Sequence, residues 1–376
     1  MGRVSAPVTT FTSSVLPPRE RGLELGERFR AEIADTVAAY RRLFVTRAGG
    51  SFDVDLWAER AWETITRVAP VHADEIAGIA EGAGRPVHEL AAVNARTELL
   101  VAANPTGVNE CSSVISVPAG GSPFAVQTWD WYDAMSDGWF HWRYEQPDGR
   151  VVETVTEYGM LGKIGVNGYG VGVMLNMLHH AHDAARVAEG TIGYPVHLLS
   201  RRIMDEATSF DDAWKIVQEP TSASTSLTVV DRDGKGATFE LFPGGPGRRD
   251  AEPAEGGGLL VRTNHFVSPE GEAGCLAGTI SDSSTTRRDK LLAAFGGTPP
   301  ATPADVVAAM TDHEPEGQVG GICCHPDTTT DPVLWHRTLA TVAIDVASST
   351  LDVRADGPCG RREHPAVAAA AGAVQP

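Results

Sequence analysis

The chain has 376 residues, 42% hydrophobic and 21% charged, the proportions of an ordinary globular protein. Lys and Arg number 31 against 49 Asp and Glu, a net charge of −18 with no concentrated basic patch, which argues against a nucleic-acid partner. No apolar run reaches bilayer length, and Met1 to Pro18 has one early basic residue, Arg3, and no continuous apolar stretch; neither a membrane span nor a secretory leader is expected, and the cytoplasm is the expected compartment.

From about residue 20 to 46, Leu25, Phe29, Ile33, Val37, Tyr40 and Phe44 recur at three- and four-residue steps, which predicts a helix that buries one face. A second helix starts near Asp53 and carries Leu56, Trp62, Ile65 and Val68. A third runs through Ile76, Ile79 and Ala80 to a stop at Gly82–Gly84, and a fourth covers about Val87 to Ala102 before Asn104-Pro105-Thr106-Gly107 breaks it. The pattern changes at Cys111. Cys111 to Val117 is short, apolar and β-branched, Pro118 to Pro123 is turn chemistry, and Phe124 to Trp131 is a second run, which together predict a hairpin. Further strands are expected at Val151–Tyr158, Lys163–Val166 and Gly170–Leu175, a helical block from Pro195 to Gln218, and strands again at Ser226–Asp231 and Ala237–Phe242. A loop over Pro243–Gly258 precedes a strand ending in Thr263-Asn264-His265-Phe266. Helices near Thr286–Phe295 and Pro303–Met310 and a hairpin of Thr338–Asp345 with Thr350–Arg354 complete the chain, with a disordered tail at about 361–376. Helices followed by hairpins predict antiparallel sheets covered by helices in one structural domain.

The five cysteines, Cys111, Cys275, Cys323, Cys324 and Cys359, are odd in number, which favours free thiols over a disulfide framework. Taken singly, each fits a small buried hydrophobe. Cys111 has a further reading, because it opens a strand just after a turn-rich connection. There its sulfur can attack the carbonyl of Glu110, shift the acyl chain to sulfur and let water complete the cut. The new α-amino group, with an ordinary pKa of about 7.7–8.0, would then serve as general base beside its own thiol.

Several strings stand in order around this cysteine. They are Glu75-Ile76-Ala77-Gly78-Ile79-Ala80-Glu81-Gly82-Ala83-Gly84, Asn94-Ala95-Arg96-Thr97-Glu98-Leu99, Cys111-Ser112-Ser113 and Thr128-Trp129-Asp130-Trp131. After them come Glu157-Tyr158-Gly159, Gly165-Val166-Asn167-Gly168-Tyr169-Gly170, Asn176, Thr263-Asn264-His265-Phe266 and Gly357-Pro358-Cys359. In this order and spacing, over roughly residues 20 to 360, the chain resembles the acyl-coenzyme A:6-aminopenicillanic acid acyltransferase (isopenicillin N acyltransferase-like) family of autoproteolytic N-terminal-nucleophile hydrolases. Thr128 departs from that family's usual Asn, and Glu110 stands where its well-known acyltransferase has a small residue.

The resemblance implies an α+β fold, the four-layer αββα sandwich of two antiparallel sheets flanked by helices. It also implies a precursor cut between Glu110 and Cys111 into an α chain, 1–110, and a β chain, 111–376, that stay associated. Cys111 would be the nucleophile, Asp130 would orient the α-amine or bind substrate, Asn264 would be the oxyanion donor, and Ser113 and Ser224 would assist self-cleavage or position the amine. Asp130 could instead be a hairpin salt-bridge partner and the serines strand-edge residues. Trp129, Trp131, Glu157, Asn176, His179 and His265 are the expected substrate-pocket residues, His265 in a supporting part because the mechanism needs no histidine base.

The implied activity is hydrolysis of a small N-acylated amine or amide, or acyl transfer from it, with an acyl-thioester donor as a further possible partner and no cofactor. Hydrolysis is preferred, since nothing in the sequence announces a coenzyme A site. A non-catalytic binding or scaffold protein of the same fold is the competing reading. No metal is expected at His179-His180-Ala181-His182-Asp183 or at Cys323-Cys324-His325, because adjacent residues on a strand point to opposite faces. The glycines from Gly165 to Gly172 lead into a strand and so are not a dinucleotide-binding turn. The pairs Arg41-Arg42, Arg201-Arg202 and Arg287-Arg288 read as solvated helix faces.

Overall fold

The computed structural model describes residues 7–106, 111–254, 257–314, 320–327 and 331–361. Glu110, on one side of the expected scission, and all but the first residue of the expected tail lie outside the described residues. After a short strand β1 (Thr10–Thr12), the helical periodicity resolves into α1 (Pro18–Arg28), α2 (Arg30–Arg47), α3 (Val54–Val68), α4 (Pro70–Ala83), α5 (Val87–Asn94) and α6 (Arg96–Ala103). Two stretches expected as single helices are each broken once. Phe29 leaves helical geometry at φ −119° and turns its ring onto Phe140 and Tyr158, 5.0 and 4.9 Å away, while Ala95 breaks the next at φ −109°. Asp53 caps α3 by accepting from Leu56 N, and Gly84 ends α4 in the left-handed region at φ 66°. Leu56, which the α3 periodicity includes, is exposed.

α1 and α4 touch backbone to backbone. A Cβ on Gly22 would lie 2.1 Å from Glu75 O, and one on Gly78 would lie 2.0 Å from Arg19 O, so both positions need glycine. The glycine-rich string at 75–84 is therefore first a helix-packing surface.

The remaining strands are β2 (Ser112–Pro118), β3 (Phe124–Tyr132), β4 (Trp139–Glu145), β5 (Val151–Glu157), β6 (Ile164–Asn167), β7 (Val171–Met177), β8 (Thr225–Asp231), β9 (Gly236–Leu241), β10 (Gly247–Asp250), β11 (Glu252–Ala254), β12 (Gly257–Arg262), β13 (His336–Asp345) and β14 (Thr350–Ala355). Between and after them lie α7 (Asp183–Glu189), α8 (Val196–Glu206), α9 (Phe210–Ile216), α10 (Pro269–Glu272), α11 (Ala277–Ile280), α12 (Ser283–Phe295) and α13 (Pro303–Ala309). The block expected as one helix over 195–218 divides where Ser209 caps α9. The expected loop at 243–258 instead carries β10 and β11, whose strand character comes from pairing with β9 and β12 and not from local propensity. The strand expected to run to Phe266 stops at Arg262, which leaves Thr263 to Phe266 in a turn.

Two sheets result, ordered β1-β4-β5-β6-β7-β8-β9-β10 and β11-β12-β2-β3-β13-β14. Every pairing is antiparallel except β1 with β4. Alternation along β2 and β3 makes two cores. Ile115, Ala125 and Trp129 join the core shared with the larger sheet, while Val114, Phe124 and Val126 pack with Leu291 of α12, Val306 of α13 and Met310 at the end of α13. α8 and α9 cover the outer face of the larger sheet, and the order is helix, sheet, sheet, helix. This is the α+β sandwich the resemblance implies. Among the described residues no helix is long and apolar enough to cross a membrane.

Candidate active site

Cys111 stands one residue before β2. Ser112 pairs with Thr128, so the end of β3 carries Asp130 alongside Cys111, whose Sγ lies 3.5 Å from Asp130 O as a donor. Burial pushes the Cys111 thiol up to about 11; the Asp130 carboxylate adds to the rise, and the Lys163 and Arg287 charges oppose it. In the uncut chain the sulfur is therefore protonated at neutral pH, and an attacking thiolate needs a base.

The Cys111 carbonyl is clamped from two sides. Asn176 Nδ2 on β7 donates to it at 3.1 Å, and Arg287 Nη1 on α12 donates at 2.9 Å. Asn176 Oδ1 accepts from Ser113 Oγ at 2.8 Å and from Gln127 Nε2 at 3.4 Å, which ties the two sheets together beneath the nucleophile. Arg287 is fully buried and also donates to Ser112 Oγ (2.9 Å), Ser283 Oγ (3.1 Å) and Asn264 Oδ1 (3.0 Å). Asn264 in turn donates from Nδ2 to Met177 O at 2.9 Å. One guanidinium thus joins the Cys111 backbone to the Asn264 amide.

Behind β3 lies a cationic and aromatic layer. Lys163 Nζ sits 3.4 Å from the centre of the Trp129 ring, and the Arg96 guanidinium sits 4.0 Å from that of Trp131. Glu157 holds Arg96 at 3.0 Å and Lys163 at 3.4 Å and accepts from the Tyr40 hydroxyl. Burial alone would raise the Glu157 carboxyl, but Arg96, Lys163 and Tyr40 bring it below its ordinary value. Burial and then Arg96 push Lys163 well below its own. Burial, followed by Arg96 and Lys163, does the same to His197, whose Nε2 lies 3.2 Å from Thr97 Oγ1.

The structure brings Cys111, Ser113, Asp130 and Asn176 together, reaches Asn264 through Arg287, and stacks Trp129, Trp131 and Glu157 behind them. Ser224 is turned elsewhere: its hydroxyl donates to Asp183 at 2.7 Å, a carboxyl that burial pushes up to about 6. His179 is buried, with its carbonyl accepting from Leu276 N at 3.0 Å. His265 lies 2.8 Å from Ser284 Oγ, which also accepts from Asn264 N; burial, then Arg262, Arg288 and Arg287, push this imidazole down to about 3, so it is neutral and supports the Asn264 turn.

Sequence reasoning missed Arg287 and Lys163, and treated Arg96 only as part of a motif. The reading of Arg-Arg pairs as solvated faces holds for Arg41 and Arg42 but fails for Arg201 and Arg287, both 0% exposed. A signal for Arg287 was present: it shares the Ser283–Arg287–Leu291 stripe of α12, four residues from each, with a leucine that enters the core.

At Cys323-Cys324-His325 the expected divergence of neighbouring side chains does not exclude a metal. Cys324 does turn away, donating its N–H to Thr338 Oγ1, but Cys323 and His325, two residues apart, face the same side. His313 and Cys359 join them there, the four ligand atoms lying within 4.8 Å of one another.

The chain is 31% identical over 235 residues to the acyl-coenzyme A:6-aminopenicillanic-acid-acyltransferase 40 kDa form of Emericella nidulans, a match covering 61% of this chain and 62% of that protein. Among solved structures, penicillin V acylase from Agrobacterium tumefaciens is loosely similar, at TM-score 0.39 and 10% identity over 65% of this chain and 83% of that one. A conjugated bile acid hydrolase from Clostridium perfringens, solved in a mutant form, gives TM-score 0.33 and 11% identity over 67% and 85%. Residues 118–359, more than half of the sequence, match the profile of one family, and by that match the chain belongs to the acyl-coenzyme A:6-aminopenicillanic acid acyl-transferase family.

Proposed function

We propose that the chain is a precursor that cuts its own Glu110–Cys111 bond and then works as a cysteine amidohydrolase or acyltransferase on small N-acylated amines or amides. The observation that carries this reading is the clamp on Cys111: a buried thiol at a strand start, its carbonyl held by Asn176 and Arg287, with Asp130 alongside and Asn264 one hydrogen bond from Arg287.

In maturation, Cys111 Sγ bonds to the Glu110 carbonyl carbon while the thiol proton passes to the departing Cys111 nitrogen. Water then splits the Glu110 thioester, leaving a Glu110 carboxylate, a free thiol and an α-amine. In turnover the α-amine takes the thiol proton as sulfur adds to the substrate carbonyl, and returns it to the leaving amine. Asp130 orients the α-amine, and Ser113 holds Asn176 in place. An amide nitrogen carries two N–H groups; Asn264 gives one to Met177 and offers the second to the oxyanion, while Arg287 supplies fixed positive charge. Water as acceptor gives hydrolysis, the preferred outcome; an amine gives transfer. The name of the Emericella relative supports a second donor class, an acyl thioester. Buried ion pairs across the scission point, Arg96–Glu157 and Arg201–Glu75, support fragments that remain associated.

Acid-quenching the protein during turnover of a panel of acylated amines and weighing its fragments tests this. The acyl mass is expected on the fragment beginning at Cys111. Turnover that survives alkylation of Cys111 would overturn the assignment.

A further inference from the structure

We propose that His313, Cys323, His325 and Cys359 form a tetrahedral site for one zinc-type divalent cation, which fastens the loop after α13 to the chain beyond β14. Two thiols and two imidazoles converge here, the donor set that borderline-soft zinc takes in closed structural sites. The two sulfur-to-His325 spacings fit as well. Bonds of about 2.3 Å to sulfur and 2.0–2.1 Å to nitrogen in a tetrahedron put S and N atoms about 3.5–3.6 Å apart. Cys359 Sγ and Cys323 Sγ lie 3.5 and 3.7 Å from His325 Nε2.

Each ligand is delivered by backbone that has its own reason to be there. Ile322 N and Cys323 N both donate to Asp312 O, at 3.1 and 3.0 Å, which folds the loop so that residue 313 meets residue 323. Thr338 of β13 exchanges hydrogen bonds with Cys324, its N–H donating to Cys324 O and its Oγ1 accepting from Cys324 N, both at 3.0 Å. That pins Cys324 to the sheet and turns its two neighbours the other way. Beyond β14, Asp356 adopts a left-handed φ of 69° and binds Arg337 at 2.8 Å, and Gly357 follows it. A Cβ on Gly357 would stand 2.6 Å from Cys323 Sγ, so the position that brings Cys359 in also needs glycine to pass the sulfur.

A Cys323–Cys359 disulfide would explain the two sulfurs but not the two imidazoles that meet them. With four protein ligands the site is closed, so it holds structure and takes no part in the acyl chemistry. Its position gives that structure a purpose: Thr338 pairs across β13 and β3 with Asp130, and the fastened loop backs the strand end that carries Asp130 beside Cys111.

The test is metal analysis of untagged full-length protein purified with micromolar zinc and then gel-filtered. About one zinc per chain is expected, falling more than tenfold in Cys323→Ser/Cys359→Ser and staying at one in the control Cys275→Ser. Replacing zinc by cobalt should give wild-type protein the visible bands of tetrahedral thiolate-bound cobalt, a readout that stands even where the double variant does not fold. Protein without metal, whether all five thiols titrate on denaturation or two are joined as a Cys323–Cys359 crosslink, would overturn the proposal. So would zinc that persists in the double variant.

Discussion

Two buried networks of basic and acidic side chains in this chain end differently. Under α1, α4 and α8, Glu75 binds Arg21 at 2.8 Å and Arg201 at 2.9 Å, and Arg201 binds Asp205 at 2.7 Å. Two guanidiniums meet two carboxylates, and Asp205 also holds His72 Nε2 at 3.2 Å and accepts from the Tyr144 hydroxyl at 2.6 Å. Behind β3, Arg96 and Lys163 share the single carboxylate of Glu157, and burial with the Arg96 charge pushes Lys163 well below its ordinary pKa, in a layer that faces Cys111. On the other side of the cysteine, Arg287 spends its fork on the Cys111 carbonyl, Ser112 and Asn264. Balance makes the first network an internal fastening. In the second, Lys163 and Arg287 are turned to Cys111, where they oppose the rise that burial and Asp130 impose on its thiol.

The largest effect is expected from breaking the balanced network. Glu75→Gln leaves Arg21 and Arg201 with less counter-charge in the interior and should cost about 3–5 kcal/mol of stability in denaturant unfolding. Turnover per folded, processed molecule should stay within about twofold, because distant sites act independently. A large loss in kcat at full folding would erase the distinction between the networks.

Breaking the other side gives the reverse signature. Arg287→Met should slow maturation and turnover by about 10²–10³-fold, the scale of losing one preorganised donor to developing charge. Arg287→Lys should recover only part of this, since an ammonium keeps the charge without the fork. If kcat in Arg287→Met matched wild type, Arg287 would be reduced to a packing residue.

A smaller effect sharpens the comparison at its edge. Glu98 is buried next to the Arg96 layer, with Oε1 accepting from Val196 N at 2.9 Å, and burial pushes its carboxyl up to about 7 from an ordinary 4.5. The folded chain then holds a proton that the unfolded chain has already released, so this group's contribution to stability falls as pH rises from about 4.5 to 7. Glu98→Gln keeps an oxygen acceptor and removes that loss. Its stability gain should be near zero at pH 4.5 and reach about 1–3 kcal/mol by pH 8. A gain that does not change with pH would show that Glu98 does not titrate in this window.

Much of the scaffold was legible because it is written in local patterns. The β2–β3 hairpin follows from two β-branched runs around turn residues, and its register is what carries Asp130 to Cys111. Several strings that carry the family resemblance turn out to be anchors. Asn94 donates to Leu90 O and Gly159 O and accepts from Leu161 N, and Asn167 stitches the β6–β7 turn to the end of α8. Illegible were the contacts that only the tertiary fold creates. Arg287 reaches Cys111 across 176 residues, and local sequence does not say which member of an Arg-Arg pair enters the core. Cys359 lies 34 residues from His325, so the quartet forms only when β14 returns the chain beside the loop. Strands β10 and β11 were missed for the same reason, since their pairing partners define them.

Whether Cys111 cuts its own chain and becomes an N-terminal nucleophile is decided by denatured intact-mass measurement of freshly purified wild type and Cys111→Ala. Wild type should give two species, one ending at Glu110 and one beginning at Cys111, and the variant a single full-length species. A wild-type chain that remains whole while fully active, or a cut that persists in Cys111→Ala, would contradict self-cleavage by this residue.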